Sequence, residues 1–268
     1  MTAGTPGTAR AAGAAGTPQG APAADPIQAP GTPEHRWRAW HGFAGLPAAD
    51  LPVRGRVVVV AAHPDDEVLG AGGTLALLAR AGLALTVVSV TDGERSHPGS
   101  TRVTPDALAA VRAAELRRAL DALGATDAEV VRLAVPDTRL AHHEEQVAAA
   151  LAPLLDGARL CLAPWTGDVH GDHEAAGRAA TAAARAAAVT CWTYPVWMWH
   201  WARPGDPAVP WDAAVAVRLP PGTAARKRRA VRHFVSQTAP LGPDPADAAV
   251  LPPEELAHHL RDIEVFFT

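Results

Sequence analysis

The chain is predicted to adopt an α/β fold, a mostly parallel sheet in the strand order 3-2-1-4-5 with helices on both faces. Three observations predict it. Short apolar runs alternate with helical patterns from Arg56 to Ala187, the sequence form of a parallel sheet with crossover helices. The first run, Val57-Val58-Val59-Val60, is apolar at every position, as a strand covered on both faces requires. Two imidazole- and carboxylate-rich segments follow the first and fourth runs, and those strands are neighbours in this order, so their carboxyl ends share one crevice.

Taken in order, residues 1–35 are mostly Ala, Gly, Pro and Thr, with Ile27 the one large aliphatic residue after Met1. Such a segment buries too little apolar surface to offset its ordering entropy and is expected to be a disordered tail. It lacks the basic start and Leu-rich core of a secretory signal. Trp37, Trp40 and Phe43 mark a lead-in that packs on the domain expected over 36–268. The first strand, 57–62, leads into a helix over about 68–81, with Gly82 at its C-terminal cap. The second strand is 83–90. Thr104 and Pro105 read as N-cap and first residue of a helix ending at Gly124. A third strand covers 130–133, a helix 144–155, a fourth strand 160–163, and an Ala-rich helix 172–187. The core is expected over about 56–190, and 191–268 as an appended portion that walls the pocket.

Composition narrows the partners. The 268 residues can bury a full core, and a formal charge of −4 gives no electrostatic case for nucleic acid. No run reaches a membrane span of about 18 apolar residues. Two cysteines, Cys161 and Cys191, do not make a disulfide framework, so a reducing, cytoplasmic setting is expected. Self-association as a homo-oligomer stays open.

Chemistry concentrates in two stretches. His63-Pro64-Asp65-Asp66-Glu67 sets three carboxylates and an imidazole in one turn after the first strand. That charge density needs compensation, and a divalent cation is the simplest source. About a hundred residues on, Pro164-Trp165-Thr166-Gly167-Asp168-Val169-His170-Gly171-Asp172-His173-Glu174 follows the fourth strand. A catalytic zinc takes three protein ligands and keeps one open position. His63, Asp66 and one histidine of the second stretch supply that set. Asp65, beside a ligand, is the natural general base. A protonated histidine could stabilise an oxyanion or give the leaving amine its proton, with Asp172 holding its ring.

These two motifs at this separation resemble the PIG-L/LmbE-like zinc-dependent deacetylases. The resemblance runs from about Arg56 to at least Ala187. It implies a Rossmann-like three-layer domain and removal of acetyl groups from N-acetylglucosamine-type sugars or metabolites that contain them. It further implies that His63, Asp66 and His173 bind Zn2+, for which Fe2+ could substitute. Asp65 would be the base, His170 the oxyanion donor or acid, and Asp172 the residue that orients a histidine. Gly171 stands where the family often has proline, which removes no functional group. Two other readings share the fold, an amidase for larger N-acyl conjugates and a sugar-binding protein without activity.

Further residues follow from pattern. On the helix 104–123, at about 100° per residue, Arg112 falls inside an apolar arc with Leu108, Val111, Leu116, Ala119, Leu120 and Leu123. A buried arginine needs an anion or sugar oxygens, or else an ion pair with Glu115 or Asp137. The family's similar arginine implies substrate binding. Asp137, at the end of the third strand, is a second substrate-contact candidate. Glu94 and His97, after the second strand, are candidates for the pocket lining. Gly70-Ala71-Gly72 begins like a dinucleotide fingerprint, but Leu75 replaces its third glycine. The Trp192–Trp201 segment, read as a strand, puts Trp197, Trp199 and Trp201 on one face, for core packing rather than sugar stacking. Arg226-Lys227-Arg228-Arg229 reads as a solvated helix face, and His258-His259 as surface residues.

Overall fold

The computed structural model describes residues 1–4 and 26–268. Residues 5–25 of the expected tail lie outside the described residues. Seven strands form one sheet in the order β3-β2-β1-β4-β5-β7-β6. They are β1 (Arg56–Ala61), β2 (Ala84–Ser89), β3 (Glu129–Arg132), β4 (Leu160–Pro164), β5 (Thr190–Tyr194), β6 (Ala214–Arg218) and β7 (Ile263–Phe267). β1 to β5 pair in parallel, in the order expected. β7 runs antiparallel to both β5 and β6, so the C-terminal portion extends the same sheet.

Helices cover both faces. The helices are α1 (Glu34–Arg38), α2 (Gly42–Gly45), α3 (Asp66–Arg80), α4 (Pro105–Leu123), α5 (Glu144–Leu155), α6 (Gly171–Ala186), α7 (Met198–Trp201), α8 (Pro221–Val231), α9 (Val235–Thr238) and α10 (Pro253–Leu256). Val57 and Val59 of β1 pack with side chains of α3, α4 and α8, while Val58 and Val60 pack with α5 and α6. Period-two alternation thus feeds two cores from one strand, which explains why the run is apolar at every position. α4 begins where its cap predicts. Thr104 Oγ1 accepts from the Ala107 amide at 3.3 Å, and Gly124 ends the helix at φ 83°.

The glycine run of α3 serves packing, not phosphate. A Cβ on Gly70 would come within 2.1 Å of the Tyr194 ring. The Tyr194 hydroxyl in turn donates to the Val60 carbonyl at 2.7 Å, which fixes β5 against the end of β1.

Several expectations change where distant segments meet. Residues 26–35 of the expected tail lie on the domain, with Thr32 buried and its amide donating to the His200 carbonyl at 2.7 Å. The 192–201 segment is not one strand. β5 stops at Tyr194 before Pro195, and α7 turns Trp199 into a cluster with Trp37 while Trp197 stays half-buried. Val111, assigned to the apolar arc of α4, is 41% exposed. Lys227 is buried, donating to Glu264 Oε1 at 2.7 Å and to the Leu69 carbonyl at 2.8 Å. His258 and His259 are also buried, His258 pairing with Glu34 at 2.8 Å. Each of these partners comes from a segment far away in the chain, so no local pattern announces it.

Candidate metal centre

The first motif leaves β1 and enters α3 within five residues. The Asp66 carboxylate accepts from the His63 amide at 2.9 Å, which closes the turn. Asp66 and Glu67 also occupy the helix N-terminus, where the macrodipole favours negative charge. The second motif leaves β4 and enters α6, with His170 as N-cap and Asp172 and His173 in its first turn. Parallel pairing of β1 with β4 sets the two turns side by side.

Three electron-pair donors converge there. His173 Nε2 lies 3.3 Å from His63 Nδ1 and 3.3 Å from Asp66 Oδ1, and His63 Nδ1 lies 3.5 Å from Asp66 Oδ2. Ligands at about 2.0–2.1 Å around a tetrahedral zinc stand about 3.3 Å apart, and these separations are close to that, with Asp66 turning Oδ1 to His173 and Oδ2 to His63.

The outer nitrogens fix the tautomers. His173 Nδ1 faces Asp168 Oδ2 at 2.7 Å, and His63 Nε2 faces Asp137 Oδ1 at 3.1 Å and Asp172 Oδ2 at 3.4 Å. A carboxylate only accepts, so each outer nitrogen carries a proton. The inner nitrogens face each other and Asp66, and either a shared proton or a cation must sit between them. Alternative donor groupings share the same ring, His63 with His170 and His173, or His63 with Asp137 and Asp172.

The electrostatics agree. Burial by itself would depress the His63 imidazole, but Asp137, Asp172 and Asp66 outweigh it and hold its pKa well above the ordinary value. Burial likewise opposes ionisation of Asp66, and His173 and His63 overcome it and hold the carboxyl far below the usual range. Asp65 differs, because burial, with Asp66 adding, pushes it up to about 6 against the pull of Arg112. Glu67 is fully buried with neither oxygen partnered, and burial keeps its carboxyl well above the usual range.

Arg112 is buried, as its helical position predicts, but its partner is neither Glu115 nor Asp137. Nη2 pairs with Asp65 Oδ1 at 3.0 Å and donates to the Pro64 carbonyl at 3.2 Å, and Nη1 donates to the Gly93 carbonyl at 3.0 Å. Gly93 sits at φ 63°, and a Cβ there would lie 2.1 Å from Nη1, so only glycine admits this contact. Glu115 instead binds the Ser236 amide and hydroxyl at 2.8 and 2.7 Å.

Of the remaining predicted residues, Asp137, Asp172 and His170 stand at this centre, whereas Glu94 and His97 do not line its cavity. Asp137 also accepts from the Arg95 amide at 2.8 Å, and Glu94 turns away to accept from the Asp137 amide at 2.9 Å. His97 reaches the Ala248 carbonyl at 3.2 Å. The Asp172 carboxylate accepts from the Thr138 and Leu140 amides at 2.7 and 3.1 Å. The ring it approaches is His63, not His170. Burial, then His173 and His63, push the His170 imidazole down to about 2.

Asp168 was not singled out from the sequence. It is completely buried, and besides His173 it accepts from the amides of Val196, Trp197 and Met198 at 3.0, 2.9 and 2.8 Å. The signal available was an acid five residues before the second histidine, in a loop already rich in donors.

These side chains open on a cavity of about 570 Å³ lined by His63, Asp65, Asp66, Arg112, Asp137, His170 and His173, and also by Trp197, His200 and Glu255. Among the described residues no helix is long and apolar enough to cross a membrane.

A family profile described as PIG-L, GlcNAc-PI de-N-acetylase, matches residues 58–184. A 1D-myo-inositol 2-acetamido-2-deoxy-alpha-D-glucopyranoside deacetylase of Kineococcus radiotolerans is 41% identical over 88 residues, 32% of this chain and 24% of that protein. The protein of that name from Nocardia farcinica is 34% identical over 169 residues, 54% of this chain and 57% of its own. The chain thus spans less than two thirds of either relative. The crystal structure of the conserved protein TT1542 from Thermus thermophilus superposes with TM-score 0.52 at 30% identity, covering 68% of this chain and 80% of that one.

Proposed function

Because the chain belongs to the PIG-L family, we propose that it is a metal-dependent hydrolase removing the acetyl group from an N-acetylglucosamine-type sugar or a metabolite containing one. The products are acetate and a free amine. The observation that carries this reading is the convergence of His63, Asp66 and His173, each imidazole backed by a carboxylate. We assign these three as ligands of zinc, and ferrous iron suits the same donors. Zinc, when bound there, supplies Lewis acidity that polarises a carbonyl and makes water a stronger acid.

The chain's own residues supply the rest. Asp65 takes the proton of the attacking water, and Arg112 holds its carboxylate in one orientation. His170, neutral and edge-on to His63 with ring centroids 5.0 Å apart, is placed to donate an N–H to the developing oxyanion. Asp137 and Asp172 steady the outer nitrogen of His63, and Asp137 and Arg112 also stand at the cavity where sugar hydroxyls would lie. A cytoplasmic setting, which two cysteines in a chain of this length suit, belongs to the same proposal.

The test is zinc-loaded protein assayed for new primary amine on a panel of N-acetyl sugars and larger N-acyl conjugates. Release of acetate from an N-acetylated sugar, with about one metal per chain, is the expected result. Turnover confined to larger acyl groups would replace the deacetylase reading with the amidase one.

A further inference from the structure

Among the described residues, Ala134, Thr138, Val169 and Ala188 are the non-glycine residues with a left-handed φ. Ala188 only caps α6, its neighbour Val189 donating back to the Ala184 carbonyl at 2.9 Å. Thr138 and Val169 are different. Both are β-branched, and for such residues φ values of 67° and 59° are genuine outliers, because the Cβ crowds the following carbonyl. Each directly follows an acid that stands behind a proposed ligand. Asp137 Oδ1 lies 3.1 Å from His63 Nε2, and Asp168 Oδ2 lies 2.7 Å from His173 Nδ1.

The position of Asp168 accounts for the strain beside it. Its carboxylate reaches a ring in the first turn of α6 and three amides of the 196–198 segment. The chain therefore has to turn sharply between Asp168 and His170, the N-cap of that helix, and a left-handed residue at 169 makes the turn. A backbone in such a state persists only where its surroundings fix it. Here a carboxylate does so. Glu174 Oε1 accepts from the Val169 amide at 3.2 Å, and Oε2 lies 3.6 Å from Arg178, which pairs with Glu144 at 2.7 Å. At the other acid, Asp172 Oδ2 accepts from the Thr138 amide at 2.7 Å. Both clamping carboxylates lie in the first turn of α6, one on each side of His173.

We propose that Val169 and Glu174 are positioning residues, a strained turn and its clamp, which hold the Asp168 carboxylate on the outer nitrogen of His173. This rests on the metal-centre reading for what His173 binds. Neither residue is assigned to metal or substrate, and their effect passes through Asp168. Strain is what makes the clamp necessary. Without Glu174, Val169 relaxes to a negative φ and draws Asp168 off the ring. Glycine at this position needs no clamp, since it takes a left-handed φ at no steric cost. Alanine keeps the Cβ and with it the need. The loss caused by removing Glu174 therefore depends on the Cβ at 169, a non-additivity that contact with the valine side chain alone does not produce.

The test uses the full-length chain with Glu174→Ala alone and combined with Val169→Gly or Val169→Ala. Zinc affinity is measured by competition with a chelator. The hydrogen on His173 Nδ1 is followed by its downfield proton resonance in the metal-free chain. Glu174→Ala should weaken zinc binding about tenfold, the low end for a residue behind a ligand, and should broaden or abolish that resonance. Glu174→Gln, whose oxygen still accepts, should restore both. Combined with Val169→Gly, the Glu174→Ala change should cost less than about threefold and leave the resonance in place. Combined with Val169→Ala, it should again cost about tenfold. Equal losses in all three backgrounds, or a Glu174→Gln variant as weak as Glu174→Ala, would overturn the clamp. A native chain that takes up no zinc defeats the metal-centre reading, and the resonance then decides the clamp by the same pattern. Zinc uptake with equal losses does the reverse.

Discussion

The carboxylate of Asp168 grips His173 Nδ1 at 2.7 Å and, with its two oxygens, three successive amides at the start of α7. One buried side chain thus sets both the tautomer of a proposed ligand and the entry to the Trp197 wall. Partners of this kind are typically worth about 10–100-fold in metal affinity. Asp168→Ala should lower zinc affinity by about that factor, measured by competition with a chelator, and Asp168→Asn should cost less because its oxygen still accepts.

Asp65 sits beside the proposed ligand Asp66 and makes its own ion pair with Arg112 at 3.0 Å. Asp65→Asn should keep the metal, because the three donors are untouched, yet lose about 10²–10⁴-fold in turnover as proton transfer fails. Metal content and initial rates on one preparation check both halves, and a variant with native rates would remove Asp65 from its assigned role.

Arg112 is 2% exposed and spends its two terminal nitrogens on Asp65 and the carbonyls of Pro64 and Gly93. Removing one partner of a buried pair leaves the other charge unpaired, typically about 3–5 kcal/mol. Arg112→Ala should lose roughly that much stability in urea unfolding of the metal-free chain, where bound metal does not contribute. Arg112→Lys keeps the charge but cannot serve three acceptors in one plane, so it should recover only part.

A pH dependence separate from the metal centre is expected at Glu34. Its carboxylate meets His258 and Arg261, and on its own helix Arg38 at 3.1 Å. Burial raises its pKa, but His258 and Arg261 outweigh burial and hold it down at about 2 from 4.5. A depressed carboxyl contributes stability that is complete above its unfolded pKa and is lost as pH falls through the folded value. Melting temperature should therefore fall between pH 4.5 and about 2 more steeply in the native chain than in Glu34→Gln. Parallel curves would show that Glu34 contributes nothing.

Much of the centre was legible because its information is local. Asp65 and Asp66 follow a strand by sequence alone, and Arg112 lies on the inner side of its helix by periodicity alone. Its partner was not legible, because Pro64 and Gly93 come from other loops. The buried status of Lys227 was hidden for the same reason. It is one of four consecutive basic residues, and Glu264, 37 residues later, together with the Leu69 carbonyl singles it out. His258 found Glu34 across 224 residues.

The sequence by itself determined the strands, the helix caps and the two donor-rich turns, since each depends on residues within one turn or one strand of each other. It also determined that the turns would meet, because β1 and β4 are neighbours in the strand order those elements favour. Tertiary structure alone decided which nitrogen of His63 and His173 faces inward, and which acids stand behind them. It likewise drew residues 27–28 into the cavity wall. Ring orientation and charge burial are fixed by contacts between segments far apart in the chain, and no local pattern carries that information.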